Sequence, residues 1–240
     1  IIGMDDGFCR GICLEYMVKK GGDNIIPVSI KNRVPGGIYV DGGRLFDDIG
    51  SNAKAVLYLR DLKTLRGAHN WQNIAFSYAA AKLSGISEQD TIDAISSFGG
   101  LKHRQNFVRK IGSIEFINDS KATNIDAASR ALEANTEIFW IAGGRLKENN
   151  IDSLLPFLGK VLHVYLIGEA ADALSKLLNN LVPTTICENM NDAVNSAYIA
   201  ALEKKSATIL LSPACSSFDQ YRNFEERGNT FCSIVNKLEE

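Results

Sequence analysis

Long apolar runs, an excess of charge of one sign, and cysteine are all scarce in this 240-residue sequence. No apolar run approaches the ~20 residues of a membrane-spanning helix, so we expect no membrane insertion. Lysine and arginine number 26 and aspartate and glutamate 28, a net charge of −2 that gives no general attraction to nucleic acid. The apolar fraction of 45% excludes intrinsic disorder and predicts a globular protein of one large or two smaller domains.

Cysteine is odd in number as well as scarce, with five residues in the chain. Cys9 and Cys13 are spaced C-x3-C, without a second pair or a nearby histidine. This spacing favours neither a zinc site nor a disulfide framework, and we interpret all five as reduced thiols of a cytoplasmic protein. The first residues resemble the end of a buried strand rather than a signal peptide, which suggests a chain cut from a longer one.

Short β-like runs separated by glycine turns fill residues 1–66. One of them, 36–46, is typical of a hairpin that turns at Asp41-Gly42-Gly43. Helical spacing of alanine and leucine then predicts a helix over 70–83. Ser87 opens a capping-box sequence, which predicts a second helix that ends before Gly99-Gly100.

From residue 101 the pattern becomes regular, with apolar strand candidates each followed by a helical segment. The strands are expected at 113–118, 137–142, 161–167, 184–187 and 207–211, and the helices at about 125–134, 151–158, 169–180, 190–204 and 218–238. This alternation predicts a Rossmann-like, doubly wound α/β domain with a mostly parallel sheet. We place the domain boundary between residues 101 and 102. Ligands of such sheets bind at the carboxyl ends of strands.

The segment from Asn118 to Asn124 (NDSKATN) follows one of these strands and precedes a helix. Lys121 adds a positive charge to a helix N-terminus, an arrangement that suits an anion. Asp119 can orient a hydroxyl group or a cation-bound water. A well-capped strand–helix loop, with Thr123 or Asn124 as the cap, is the structural alternative.

The segment from Ser212 to Gln220 (SPACSSFDQ) lies in the same position after the last strand. Its small residues and hydroxyl groups can bind a carboxylate. The alternative is that Ser217 caps the next helix and Phe224 belongs to the core. Cys215 has no histidine beside it in the sequence, which argues against a nucleophile.

Three further segments are weaker candidates. Gly143-Gly144 after a strand lets a ligand approach the backbone, and Arg145 or Lys147 can meet an anion, although a solvated turn is the common alternative. Arg104, at the expected domain junction, can reach a phosphate, although a surface ion pair is the common alternative. The last segment, GAHNWQN, places two asparagines at i, i+3 of a helix, where they can bind a nucleobase or simply cap the helix; they are Asn70 and Asn73.

Together, GAHNWQN, GLKHR, NDSKATN, the GG-x-x-K of 143–147 and LSPACSSFDQYRNFEERG resemble the Mur ligase family, in its order and spacing. The last segment favours the glutamate-adding branch. The resemblance covers 67–240 well and 1–66 loosely. It implies that 1–101 is the C-terminal part of a central ATPase-type α/β domain and that 102–240 is the amino-acid-binding C-terminal domain.

The resemblance also implies an activity, the ATP-dependent addition of D-glutamate to UDP-N-acetylmuramoyl-L-alanine through an acyl phosphate, in peptidoglycan precursor synthesis. Nucleotide contacts are implied for Asn70, Asn73, Arg104, Asp119 and Lys121, the last three also being catalytic. D-Glutamate contacts are implied for Thr123, Lys147, Ser217 and Phe224.

The sequence departs from the family in lacking a G-x4-G-K-[ST] phosphate loop. The family's magnesium ligands, including a carbamylated lysine, are expected upstream of residue 1, so no metal ligand is assigned here. Arg145 stands where some relatives carry an acid. We therefore expect the isolated chain to be inactive in ATP turnover. The alternatives are a non-catalytic module that binds a nucleotide or amino acid, and another ligase of the superfamily, such as a folylpolyglutamate synthase.

Overall fold

The computed structural model describes residues 1–21, 24–62, 64–65, 67–147 and 149–239, without the side chains of Lys20 and His69. These residues form two compact units, Ile1–Gly99 and Gly100–Glu240. Both units combine helices with sheets, as the sequence predicted. No helix in the described ranges is long and apolar enough to cross a membrane.

The first unit contains a sheet in the order β1-β2-β3-β4-β5. Its strands are β1 (Ile2–Gly3), β2 (Pro27–Ser29), β3 (Ile38–Asp41), β4 (Arg44–Asp47) and β5 (Lys54–Tyr58), and its helices are α1 (Gly7–Lys20), α2 (Ala68–Leu83) and α3 (Glu88–Ser97). The predicted hairpin is confirmed: β3 and β4 pair antiparallel around Gly42 and Gly43, whose φ angles are 57° and 81°. The Ser87 cap is confirmed too, because its Oγ accepts a hydrogen bond from the Asp90 amide.

Helix α1 was not predicted from the sequence, which had suggested only β-like runs there. Asp6 caps it by accepting a hydrogen bond from the Cys9 amide at 2.8 Å. Its apolar residues are spread around the helix rather than gathered in one stripe, and Phe8, Leu14 and Val18 among them are exposed. Without that periodicity, a helix leaves little trace in the sequence.

The second unit contains a sheet in the order β10-β9-β8-β11-β7-β6. Its strands are β6 (Asn106–Ile111), β7 (Ile114–Asn118), β8 (Ile138–Gly143), β9 (Val161–Ile167), β10 (Thr184–Ile186) and β11 (Ala207–Leu211). Its helices are α4 (Ile125–Ala134), α5 (Ala171–Leu178), α6 (Met190–Leu202) and α7 (Phe224–Val235). Strands β7 to β11 are parallel, and β6 pairs antiparallel with β7 at the edge.

Helices cover both faces of this sheet. The first core cluster joins α4 and α5 to one face, where Trp140 is fully buried. The second joins α6 and α7 to the other face, around Phe116 and Phe231. The chain leaves β8 toward the first face and β11 toward the second, so the topological switch point lies between these two neighbouring strands. In doubly wound sheets, ligands bind at such a point.

Two sequence predictions for this unit were wrong in detail, and one strand was missed. The helix expected over 151–158 is a short 3-10 helix at Leu155–Lys160, because Pro156 lacks an amide hydrogen and Gly159 follows it. Helix α7 begins at Phe224 rather than at 218, since the Asn223 side chain caps it through the Glu226 amide. The antiparallel edge strand β6 was not predicted at all.

Candidate functional site

Asp119 lies directly after β7 and is 7% exposed. Its Oδ2 accepts a hydrogen bond from Ser212 Oγ at 2.9 Å, and its Oδ1 accepts one from the Gln105 amide at 3.1 Å. Burial raises the pKa of this carboxyl group from 3.8 to about 7, although these two hydrogen bonds and the charge of Arg104 act in the opposite direction. The contact with Ser212 brings the first and second sequence motifs together at the carboxyl edge of the sheet.

Lys121 joins the same two motifs by another contact. Its Nζ lies 4.0 Å from the centre of the Phe224 ring, a cation–π arrangement. Within the described ranges Lys121 makes no ion pair with a carboxylate. Its positive charge is therefore held in position by an aromatic face and is available to an anionic ligand.

Buried polar groups support this edge from below. Asn118 is fully buried, and its Nδ2 lies 3.0 Å from His103 Nδ1 and donates to the Gly228 carbonyl at 3.0 Å. The His103 ring meets Phe224 edge-on, with centroids 6.1 Å apart. Burial lowers the pKa of His103. His103 and Ala214 both adopt left-handed backbone, at φ 64° and 58°, a conformation that only a supporting structure maintains.

The two glycines at the end of β8 allow close packing against the protein's own backbone. A Cβ on Gly143 would lie 1.9 Å from the Ile167 carbonyl oxygen, and one on Gly144 would lie 2.2 Å from the Ser216 oxygen. The space beside these glycines, which the sequence offered as a place for a ligand to approach the backbone, is thus filled by the end of β9 and by the β11 loop. Arg145 and Ser216 then exchange backbone hydrogen bonds of 2.9 and 3.0 Å, which ties the β8 loop to the β11 loop.

The Arg145 side chain is accounted for by a surface ion pair. Its guanidinium donates to both Glu169 carboxylate oxygens, at 3.0 and 2.9 Å. This contact raises the pKa of Arg145 and lowers that of Glu169. Because both side chains are more than half exposed, the pair contributes little to stability.

Residues expected to hold an amino acid lie on the same edge. Ser217 is buried but does not cap α7; its carbonyl oxygen accepts hydrogen bonds from Gln220 and Tyr221, and its hydroxyl has no partner in the described part of the chain. Lys147 is exposed two residues beyond Arg145. Thr123 is not the cap of α4, because the Asn124 side chain caps this helix through the Ala127 amide at 2.7 Å. The Thr123 amide donates a hydrogen bond to the Lys121 carbonyl at 2.8 Å. Within the described ranges, no hydrogen bond or ion pair joins Lys147 to the other site residues.

Arg104 is exposed on the same unit, with no ion pair in the described ranges, next to the loop that contacts Asp119. Asn70 and Asn73 belong to the other unit, near the start of α2, where Asn73 is exposed. Asn70 does not cap that helix, because Gly67 occupies the cap position. The nucleotide roles of all three residues remain predictions.

The Cys215 thiol does not have the character of a nucleophile. Burial raises the pKa of the Cys215 thiol to about 12, so it is protonated and unreactive at neutral pH. All five cysteines are free thiols. Among the described residues, no group of three or more histidine, cysteine or acidic side chains is placed to hold a metal ion.

One residue of this region was not identified from the sequence. Arg227 lies on α7 and is 1% exposed, and its guanidinium contacts the loops after β7 and β11 and the last residue of β8. A signal was present: Phe224, Arg227 and Phe231 fall at helical spacing on one face. A charged residue on an otherwise apolar face is a sign of buried polar contacts.

The sequence of this chain was compared with protein families and with known proteins. Residues 103–215 match the model of the Mur ligase glutamate ligase domain. The chain is 42% identical over 239 residues to UDP-N-acetylmuramoylalanine–D-glutamate ligase of Caulobacter sp. strain K31, covering 99% of this chain and 51% of that protein. The ligase of the same name from Rhizobium meliloti strain 1021 is 42% identical over 241 residues, covering 100% and 52%. The chain thus spans about half the length of these curated relatives.

Solved structures share the fold. A pseudomurein peptide ligase type C from Methanothermus fervidus superposes with a TM-score of 0.66 at 15% identity, covering 99% of this chain and 56% of that one. UDP-N-acetylmuramate-alanine ligase MurC from Thermotoga maritima gives 0.58 at 14% identity, covering 88% and 48%. The sequence relatives, the domain match and the doubly wound fold agree with one another. This chain belongs to the Mur ligase family.

Proposed function

We propose that this chain supplies the acceptor amino-acid site and part of the nucleotide site of an ATP-dependent ligase that adds D-glutamate to UDP-N-acetylmuramoyl-L-alanine. The observation that carries the proposal is the switch-point edge of the second unit. There, contacts between Asp119 and Ser212, between Lys121 and Phe224, and between Arg145 and Ser216 hold the β7, β8 and β11 loops together. This edge presents Lys121 and Lys147 without carboxylate partners in the described ranges.

The proposed chemistry asks the protein to position charges rather than to form a covalent bond. A carboxylate oxygen of UDP-N-acetylmuramoyl-L-alanine attacks the γ-phosphorus of ATP, and ADP leaves. The amine of D-glutamate attacks the acyl carbon, and inorganic phosphate leaves as the amide forms. Fixed cations beside the phosphoryl group stabilise such transfers. The unreactive Cys215 thiol fits a reaction without a protein nucleophile.

Each site residue has a role in this proposal. Lys121 neutralises phosphate charge, with Arg104 beside it, and Asp119 accepts a hydrogen bond from a nucleotide hydroxyl. Asn70 and Asn73 are proposed contacts of the adenine. Four residues hold D-glutamate: Lys147 and the hydroxyls of Thr123 and Ser217 donate to its carboxylates, and Phe224 closes the site. Magnesium belongs to the proposed reaction, but the described residues show no cluster for it, so we assign no metal ligand to this chain.

Calorimetric titration of the purified 240-residue chain tests the proposal. We expect D-glutamate to bind at least tenfold more tightly than L-glutamate, because fixed donors hold the two carboxylates, so that the amino groups of the two enantiomers point in opposite directions. Folate should not bind, and ATP hydrolysis by the isolated chain should be undetectable. Equal binding of the two enantiomers, or preferential binding of folate, would favour another ligase of the superfamily. Binding of neither enantiomer, with or without ADP, would reject an acceptor site on this chain.

A further inference from the structure

Arg227 is a buried cation without an anionic partner. Its side chain lies on α7 and is 1% exposed, and no carboxylate of the described ranges lies within ion-pair distance. Burial lowers its pKa to about 10, with Asp219 acting on it only as a more distant charge. Burying a guanidinium costs several kcal/mol, whereas an apolar side chain of similar volume would fill the same space without that cost. Core packing alone therefore gives no reason for an arginine here.

The hydrogen bonds of Arg227 supply a reason. Its Nε donates to Ser120 Oγ at 3.1 Å, and its Nη2 donates to the Ser120 carbonyl at 2.9 Å. Nη2 also donates to the Cys215 carbonyl at 3.1 Å, and Nη1 donates to the Gly143 carbonyl at 3.4 Å. These acceptors belong to the loop after β7, to the loop after β11 and to the last residue of β8, from which the third loop starts. The planar guanidinium fork thus connects two loops of the switch-point edge to the point where the third begins.

The loops meet around this side chain with little free space. A Cβ on Gly144 would lie 3.1 Å from Arg227 Nη1, and a Cβ on the neighbouring Gly228 would lie 2.2 Å from His103 Nδ1. The Phe224 carbonyl, three residues before Arg227, also accepts a hydrogen bond from Ser120 Oγ at 2.8 Å. The start of α7 is therefore joined by polar contacts, not by apolar packing alone, to the β7 and β11 loops and to the end of β8.

We propose that Arg227 is a positioning residue that fixes the positions of the β7, β8 and β11 loops relative to one another. Asp119 and Lys121 stand on the first loop, Lys147 on the second and Ser217 on the third. Loss of the fork would disturb the nucleotide and the amino-acid side of the site together. The identity of these two ligands rests on the proposed function, but the restraint on the loops does not.

Hydrogen–deuterium exchange of the full 240-residue chain tests the restraint without any ligand. In R227M we expect amide exchange at 119–123, 143–147 and 212–217 to rise at least tenfold, while the strands of the sheet stay protected. R227K keeps the charge but has a single nitrogen, so it should also loosen at least two of the loops. R222M is the matched control, because Arg222 stands just before α7 with its side chain 90% exposed, and it should exchange like the wild type.

Titration of the same variants with D-glutamate and with ADP completes the test. R227M should weaken both ligands about tenfold or more, and R227K should not restore them. A folded R227M with loop exchange within twofold of the wild type would overturn the proposal, as would full recovery by R227K. If R227M fails to fold, R227K alone decides by the same criteria. Loosened loops in a chain whose wild type binds neither ligand would support the restraint and reject the ligand assignment.

Discussion

Replacing Lys147 by alanine is expected to weaken D-glutamate binding tenfold or more. A charge-assisted hydrogen bond contributes about 1.5–3 kcal/mol, which corresponds to roughly a 10- to 100-fold change in Kd. Lys147 has no carboxylate partner in the described ranges, so its removal leaves no buried charge behind. The effect should therefore appear in binding and not in stability. Calorimetry of the variant with D-glutamate, beside a thermal melt, measures both.

Lys176→Ala is the matched control for this variant. Lys176 is also an exposed lysine of the second unit, but it lies on α5 and away from the switch-point edge. We expect its D-glutamate affinity to stay within twofold of the wild type. Equal weakening by both variants would show that the Lys147 effect is a general electrostatic one. Wild-type affinity in Lys147→Ala would show that this residue does not bind D-glutamate.

Replacing Asp119 by asparagine is expected to abolish a pH dependence of stability. The folded-state pKa of Asp119 is raised from 3.8 to about 7 by burial, so between these pH values the folded chain binds more protons than the unfolded chain. The free energy of unfolding must then fall as pH rises from about 4 to 7, and level off above 7. Its total change from this group is on the order of a few kcal/mol.

Urea unfolding of wild type and Asp119→Asn at pH 5, 6, 7 and 8 measures this effect. The variant should lose most of the decline and be the more stable protein at pH 8, because asparagine has no charge to bury. Its amide can still accept from the Gln105 amide, while the Ser212 hydroxyl can turn to accept from the new NH2 group. Asp152→Asn, a substitution at an exposed residue of the same unit, should show the same pH dependence of stability as the wild type. Parallel curves for wild type and Asp119→Asn would show that the carboxyl group is not buried as described.

The Asp119 carboxylate, which destabilises the free protein at neutral pH, is also expected to affect nucleotide binding. A buried Asp119 with a pKa near 7 gains a strong donor when a nucleotide hydroxyl arrives. ADP binding should therefore strengthen as pH rises through 7. Asparagine at this position should remove that trend. Active sites commonly hold such perturbed groups, which cost stability in the free protein.

The doubly wound second unit could be predicted from the sequence because its strands are continuous apolar runs. β8 and β11 are entirely buried, and buried parallel strands have this signature. The first two motifs were found for the same reason, since each follows such a strand directly. The helix caps at Ser87 and Asn124 could also be predicted from the sequence.

The features that escaped prediction depend on contacts distant in sequence. Arg227 Nε and Ser120 Oγ are 107 residues apart along the chain, and no local pattern reports that pairing. Ligand approach at Gly143 and Gly144 was a candidate interpretation because the sequence does not show that the Ile167 and Ser216 carbonyls fill the space beside them. Helix α1 lacks an apolar stripe and β6 is a partly exposed edge strand, so periodicity reports neither.

The proposed function requires D-glutamate to bind at the switch-point edge of the second unit. Chemical-shift mapping of the isotope-labelled chain during titration with D-glutamate tests it most directly. We predict saturable shifts at the backbone amides of Thr123, Lys147 and Ser217 and at the Phe224 ring, with the first unit unchanged. Saturable shifts that fall elsewhere, or shifts of equal size and midpoint with L-glutamate, would contradict the account.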